Sequence, residues 1–171
     1  MTVIYLYTHD SLQKAVKLET SLLAERRRVQ FKDGTSEEML DDLVMDEEYD
    51  VMFRKLFLEA HADVLSHISV NYLMDTPTDL SPMLNEFQDF SQDRDFTIWM
   101  NMHEDWPKQY RKSVDIKLQQ YLTDYICYRW LETKSPNDAL TFRSRLEPTI
   151  DDVKSLLIRK TVPLKRWPSF P

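Results

Sequence analysis

The chain has 171 residues, 42% of them apolar and 30% charged, with a formal net charge of −7. That length can build one domain with a sizeable core, and the acidic balance argues against a general nucleic-acid binder, which needs a basic face for phosphates. The single glycine, Gly34, excludes Gly-rich phosphate loops and dinucleotide fingerprints, which need several.

Val3 to Tyr7 has strand-like composition and predicts an edge strand or extended arm over residues 1–9. Asp10 is placed to cap a first helix, with Gln13 as its capping-box partner. Leu12, Val16, Leu18, Leu22 and Leu23 carry that helix to Arg26-Arg27-Arg28, cations that suit a helix C-terminus. Lys32 to Thr35 is a turn. Thr35 and Glu38 open a short acidic helix through Met39, Leu40 and Leu43. A longer helix is predicted from about Glu47 to Tyr72, with Phe53, Leu56, Phe57, Ala60, Val64 and Ile68 as its apolar stripe and Met52, Leu65 and Tyr72 widening it. Thr76-Pro77 and Ser81-Pro82 mark turns or helix starts, residues 82–88 allow a short helix, and 89–95 is polar.

Phe96 to Met102 is the strongest strand signal. Phe96, Ile98, Met100 and Met102 alternate with Thr97, Trp99 and Asn101. Its partner is expected in a hairpin, near residues 68–74 or at 3–7. Two long helices then run from Trp106 to Lys160, joined by the corner Thr133 to Asp138. Ser135 is the expected N-cap and Pro136 the first helical residue, where a missing N–H costs nothing. Val114, Leu118, Tyr121, Leu122 and Tyr125 before the corner, and Ala139, Phe142, Leu146, Ile150, Val153 and Leu157 after it, recur at the helical period. So short a connection makes the helices antiparallel neighbours. Pro148 should kink or restart the second of them. Residues 163–171 are too proline-rich for a helix and form an extended tail. The fold class expected is mainly α: one domain over 1–171, an antiparallel helical bundle with a short strand or hairpin inserted.

Few residues suggest chemistry. Glu59, Asp63 and His67 share a helix face at i, i+4 and i+8, with His61 nearby. Di-metal bundles need Glu-x-x-His pairs on two helices, and none exists here, so these residues are read as an exposed polar face. His103-Glu104-Asp105 reads as a polar turn. Cys127 stands alone in an apolar run, as a small buried hydrophobe. No nucleophile sits in a recognisable motif, so no enzyme, cofactor or metal is expected. Trp99, Trp106, Trp130 and Trp167 read as core or interface aromatics, not as a stacking platform for single strands. No basic n-region precedes an apolar run, so no signal peptide is expected, and no run is long enough to span a bilayer.

Charge is uneven. Asp33 to Asp50 holds nine acidic residues and no Lys or Arg, whereas the end of the chain carries Arg159, Lys160, Lys165 and Arg166. The candidate interface is therefore Asp41, Asp42, Asp46, Glu47 and Glu48 at one pole, with Arg159, Lys160, Lys165, Arg166, Trp167 and Phe170 at the other.

Four stretches carry a family resemblance. They are Asp46 to Ala60, Phe96 to Met102 followed by Glu104-Asp105-Trp106, Leu118 to Ile126 leading to Trp130-Leu131, and the final helix ending in Leu157-Ile158-Arg159-Lys160 before a Pro/Arg/Trp tail. In this order, over about residues 45–171, they are similar to small helical proteins of prophages from gut Bacteroides-type bacteria, which look related to head–tail connector proteins of tailed phages. The resemblance implies an all-α core, a homo-oligomeric ring beneath the portal, contact with other phage structural proteins, and no catalysis. It places the protein in the host cytoplasm during assembly and then in the virion. The alternative is a helical protein-binding or regulatory module of a mobile element with no virion role; neighbouring portal, capsid and tail genes would separate the two.

Overall fold

A computed structural model describes residues 1–30, 40–68 and 95–159. In chain order these form β1 (Thr2–Thr8), α1 (His9–Gln30), α2 (Asp50–His67), β2 (Asp95–Asn101), α3 (Arg111–Lys134) and α4 (Pro136–Ile158). Short 3-10 turns, Glu47–Tyr49 and Lys108–Tyr110, lead into α2 and α3. The protein is mainly helical with one small antiparallel sheet, the expected class.

The helical pair around Pro136 forms as its periodicity demands. Val114, Leu118, Tyr121 and Leu122 of α3 are buried, as are Ala139, Phe142, Ile150, Val153 and Leu157 of α4, while Tyr125 and Leu146 are half-buried. The two helices make the most extensive contact in the protein. α2 lays its whole expected stripe, Phe53 to Ile68, into the same core and packs on α3.

Five details differ from expectation. First, Thr8, not Asp10, caps α1: its hydroxyl accepts from Ser11 N at 3.3 Å, and Asp10 falls inside the first turn, where its charge still suits the dipole. Second, the buried row of α1 is Leu12, Val16, Thr20 and Ala24, one residue every four, which leaves Leu18 and Leu22 exposed. Thr20 is tolerated there because its hydroxyl donates to Val16 O at 2.9 Å and accepts from Met45 N at 3.1 Å. Third, α2 ends at His67, since Ile68 turns extended, with φ −78° and ψ 131°. Its start is a 3-10 turn capped by Asp46, whose side chain accepts from Glu47 N, and α3 likewise starts at Arg111, after the 3-10 turn that follows Trp106-Pro107. Fourth, α4 runs through Pro148 without restarting. Pro148 and Ser144 are both exposed, so the freed carbonyl faces water. Fifth, Ser135 occupies the N-cap, but its hydroxyl bonds the Asp138 carboxylate instead of a backbone N–H. The short acidic helix expected from Thr35, the possible helix at 82–88 and the tail 163–171 lie wholly or largely outside the described residues; Leu40 and Asp41 are helical.

β1 pairs antiparallel with β2, Thr2 opposite Asn101 and Tyr5 opposite Ile98. Residues near 3–7 are thus the partner of the 96–102 strand. Val3, Tyr5 and Tyr7 face the core, and Ile4 and Leu6 face out. Met1 and Met102 exchange both backbone bonds, at 2.8 Å each. In an antiparallel ladder such pairs recur every second residue, so Val3, Tyr5 and Tyr7 also bond across to β2. The N–H and C=O groups of Ile4 and Leu6 therefore point to the open side of β1.

Two tryptophans tie loops to the bundle. Trp106 Nε1 donates to Leu156 O at 2.9 Å, satisfying one of the last carbonyls of α4. Trp130 Nε1 donates to Leu43 O at 2.9 Å, pinning the segment before α2 against the end of α3. Trp99 is also buried.

Candidate protein–protein interface

The acidic residues Asp41, Asp42, Asp46, Glu47 and Glu48 are all exposed. Asp46 pairs with Lys17 of α1, and Asp42 O accepts from Lys134 Nζ at 2.6 Å. The Lys134 ammonium sits 3.7 Å above the Trp130 ring centroid, and the Tyr49 ring meets Trp130 edge-on at 4.8 Å. This acidic segment therefore lies over the last turns of α3. The Lys17–Asp46 pair raises the lysine's pKa and lowers the carboxyl's, each chiefly through the hydrogen bond between them.

Arg159 belongs to the opposite pole. It is exposed and places its guanidinium 5.6 Å from the centroid of Tyr110, the residue just before α3. From Tyr110 to Lys134 the helical rise covers about 36 Å. The structure thus keeps Asp41–Glu48 and Arg159 apart, at the two ends of one helix. Lys160, Lys165, Arg166, Trp167 and Phe170 lie outside the described residues.

The other candidate cluster is dispersed. Asp63 accepts from the Tyr121 hydroxyl and lies 3.7 Å from His67 Nε2, while Glu59 pairs with Arg129 at 3.4 Å. His61 stacks on Phe96, centroids 4.4 Å apart, and its burial pushes its pKa down to about 4, so it is neutral at physiological pH. Among the described residues no group of three or more His, Cys, Asp or Glu is arranged to hold a metal ion, and no helix is long and apolar enough to cross a membrane. Cys127 is buried, and desolvation drives its thiol pKa well up, so it is inert as a nucleophile.

Sequence reasoning missed Asp124. It sits in the apolar run of α3, 3% exposed, with Arg145 of α4 at 3.7 Å and one carboxylate oxygen without a hydrogen-bond partner among the described residues. Burial pushes its pKa up to about 6; Arg145 opposes the shift and Glu19 adds to it. A carboxylate inside a buried stripe was the available signal. Arg27 was read only as a helix-end cation, yet it reaches across to Ser135 and Asp138 and ties α1 to the corner of the helical pair.

No protein family matches the chain, and no curated protein or solved structure matches it either.

Proposed function

We propose that this is a non-catalytic structural protein of the phage head–tail connector type, which assembles through contacts between copies and with other phage structural proteins. The observation that supports this reading is the separation of charge along α3. An acidic patch at one end and Arg159 at the other suit a head-to-tail contact, and such heterologous contacts close into rings when the rotation allows. The tail, with Trp167 and Phe170, would add aromatic anchors to the basic side of each contact.

Light scattering across protein concentration tests this. The Debye length falls from about 30 Å at 0.01 M salt to about 3 Å at 1 M, so assembly should be strong at the low end and weak at the high end. Glu48→Lys or Arg159→Glu alone should weaken assembly, and the two together should restore it. A chain that stays monomeric at every concentration in low salt overturns the proposal. Deleting residues 163–171 should reduce assembly; an unchanged state removes the tail's role.

A further inference from the structure

The open side of β1 borders a groove of about 590 Å³, walled by Ile4, Tyr5 and Leu6 on the strand and by Lys108, Arg111 and Lys112 at the start of α3. Three features of it point to a ligand. The first is the strand edge. By the ladder phase above, Ile4 and Leu6 turn their N–H and C=O groups into the groove, and among the described residues the sheet has two strands. Among the described residues the one partner these groups find is Arg111, whose guanidinium reaches Ile4 O at a long 3.5 Å. Unpaired edge groups are a template for another strand.

The second feature is charge. Lys108, Arg111 and Lys112 are all exposed and face a single carboxylate, Asp115, which already accepts a hydrogen bond from the Tyr7 hydroxyl at 3.2 Å. A groove with surplus positive charge stands out on a chain of net charge −7. The third is Tyr5. It is 3% exposed, lines the groove, and its hydroxyl has no hydrogen-bond partner among the described residues. A buried hydroxyl left unbonded is costly, and such an exception asks for an explanation.

We propose that this groove docks an extended acidic peptide segment of a partner protein, which joins β1 as a third strand. Backbone pairing to Ile4 and Leu6 supplies the affinity, and alternate side chains supply the selectivity. Residues of the added strand that face α3 carry carboxylates, which meet Lys108, Arg111 and Lys112 and accept a hydrogen bond from the Tyr5 hydroxyl. Residues on the other face lie beside the exposed Ile4 and Leu6 and are apolar. The recognised pattern is therefore an alternation of acid and aliphatic residue. The groove lies at the same end of α3 as Arg159, but its walls are other residues than those the connector proposal uses.

The test uses the full-length ¹⁵N-labelled protein and three capped peptides, in which valine alternates with glutamate, lysine or glutamine. The Val/Glu peptide should bind at least about tenfold more tightly than the other two, weaken with salt, and shift the Ile4 and Leu6 amides while slowing their exchange. Lys112→Glu should cost about tenfold in affinity. Leu6→Pro removes an edge N–H that the β1–β2 ladder does not use, so it should abolish binding with the fold intact by circular dichroism. Tyr5→Phe should raise the thermal midpoint of the free protein yet weaken the peptide, a split that a purely structural hydroxyl would not give. Equal affinity for the acidic and basic peptides, or unmoved Ile4 and Leu6 amides at saturation, overturns the proposal. So does protection of those amides by the protein's own concentration alone, since the occupant would then be a second copy.

Discussion

α3 is packed on two sides in different ways. Toward α4 the contact is mainly a run of aliphatic and aromatic side chains that follows the helical period on both partners, with the Asp124–Arg145 pair as its polar exception. Toward α1 the surroundings are more polar: Asp124 has Glu19 of α1 nearby, and Arg27 of α1 binds Ser135 and Asp138 at the corner just beyond α3. The first contact draws its strength from area and tolerates small slips. The second has fewer apolar residues and more partners that must meet in one geometry, so it selects the position of α1 more than it stabilises it.

Removing apolar volume from the α4 side should have the largest effect. Ile150→Ala leaves a cavity under α4 and should cost about 2–5 kcal/mol, read as a lower urea midpoint. A loss under 1 kcal/mol would mean that the contact is not the main store of stability. Next comes Asp124. Its folded pKa, about 6, lies above the ordinary value of 3.8, so the native state binds the extra proton between those limits. The group therefore destabilises the protein when ionised: the cost is absent below pH 4 and grows as pH rises through 6. Asp124→Asn should gain on the order of 2 kcal/mol at pH 8 and little at pH 4. A variant with the same pH slope as the parent would assign the slope elsewhere. His61 acts in the opposite sense. With its pKa lowered to about 4, protonation in the unfolded state removes stability as pH falls from 6.5 toward 4, so His61→Phe should flatten the acid limb. The smallest effect is the Arg27–Asp138 pair, partly buried. A double-mutant cycle to alanine should give a coupling of about 1 kcal/mol. A coupling near that of Ile150→Ala would erase the distinction between the two sides.

The same contrast decides what was legible. Along α2, α3 and α4 most residues named from the helical period are buried, although Met52 is exposed and Leu65, Tyr125 and Leu146 are half-buried. In α1, apolar Leu18 and Leu22 outbid Thr20 as core residues by composition, yet Thr20 is inside because Met45, far along the chain, gives its hydroxyl a donor. That information is not local. The pairing of β1 with β2 was among the expected options because both segments alternate, but which edge stays open depends on ladder phase, which only the pair defines. The acidic and basic poles were legible as charge runs; the placement of the acidic residues and Arg159 at opposite ends of α3 was not, since it rests on Trp130 holding Leu43 and on Tyr110 beside Arg159. Asp124 carried a signal that the search for motifs passed over.

The two strands of the sheet are roughly ninety residues apart in the chain. A ribosome adds roughly 5–20 residues per second, so β1 is made roughly 5–20 s before its companion exists. During that interval Val3, Tyr5 and Tyr7 have no native strand to pair with, and β1 is at its most adhesive. The helical pair around Pro136 has the reverse history: its two halves are neighbours in the chain and meet as soon as they leave the exit tunnel.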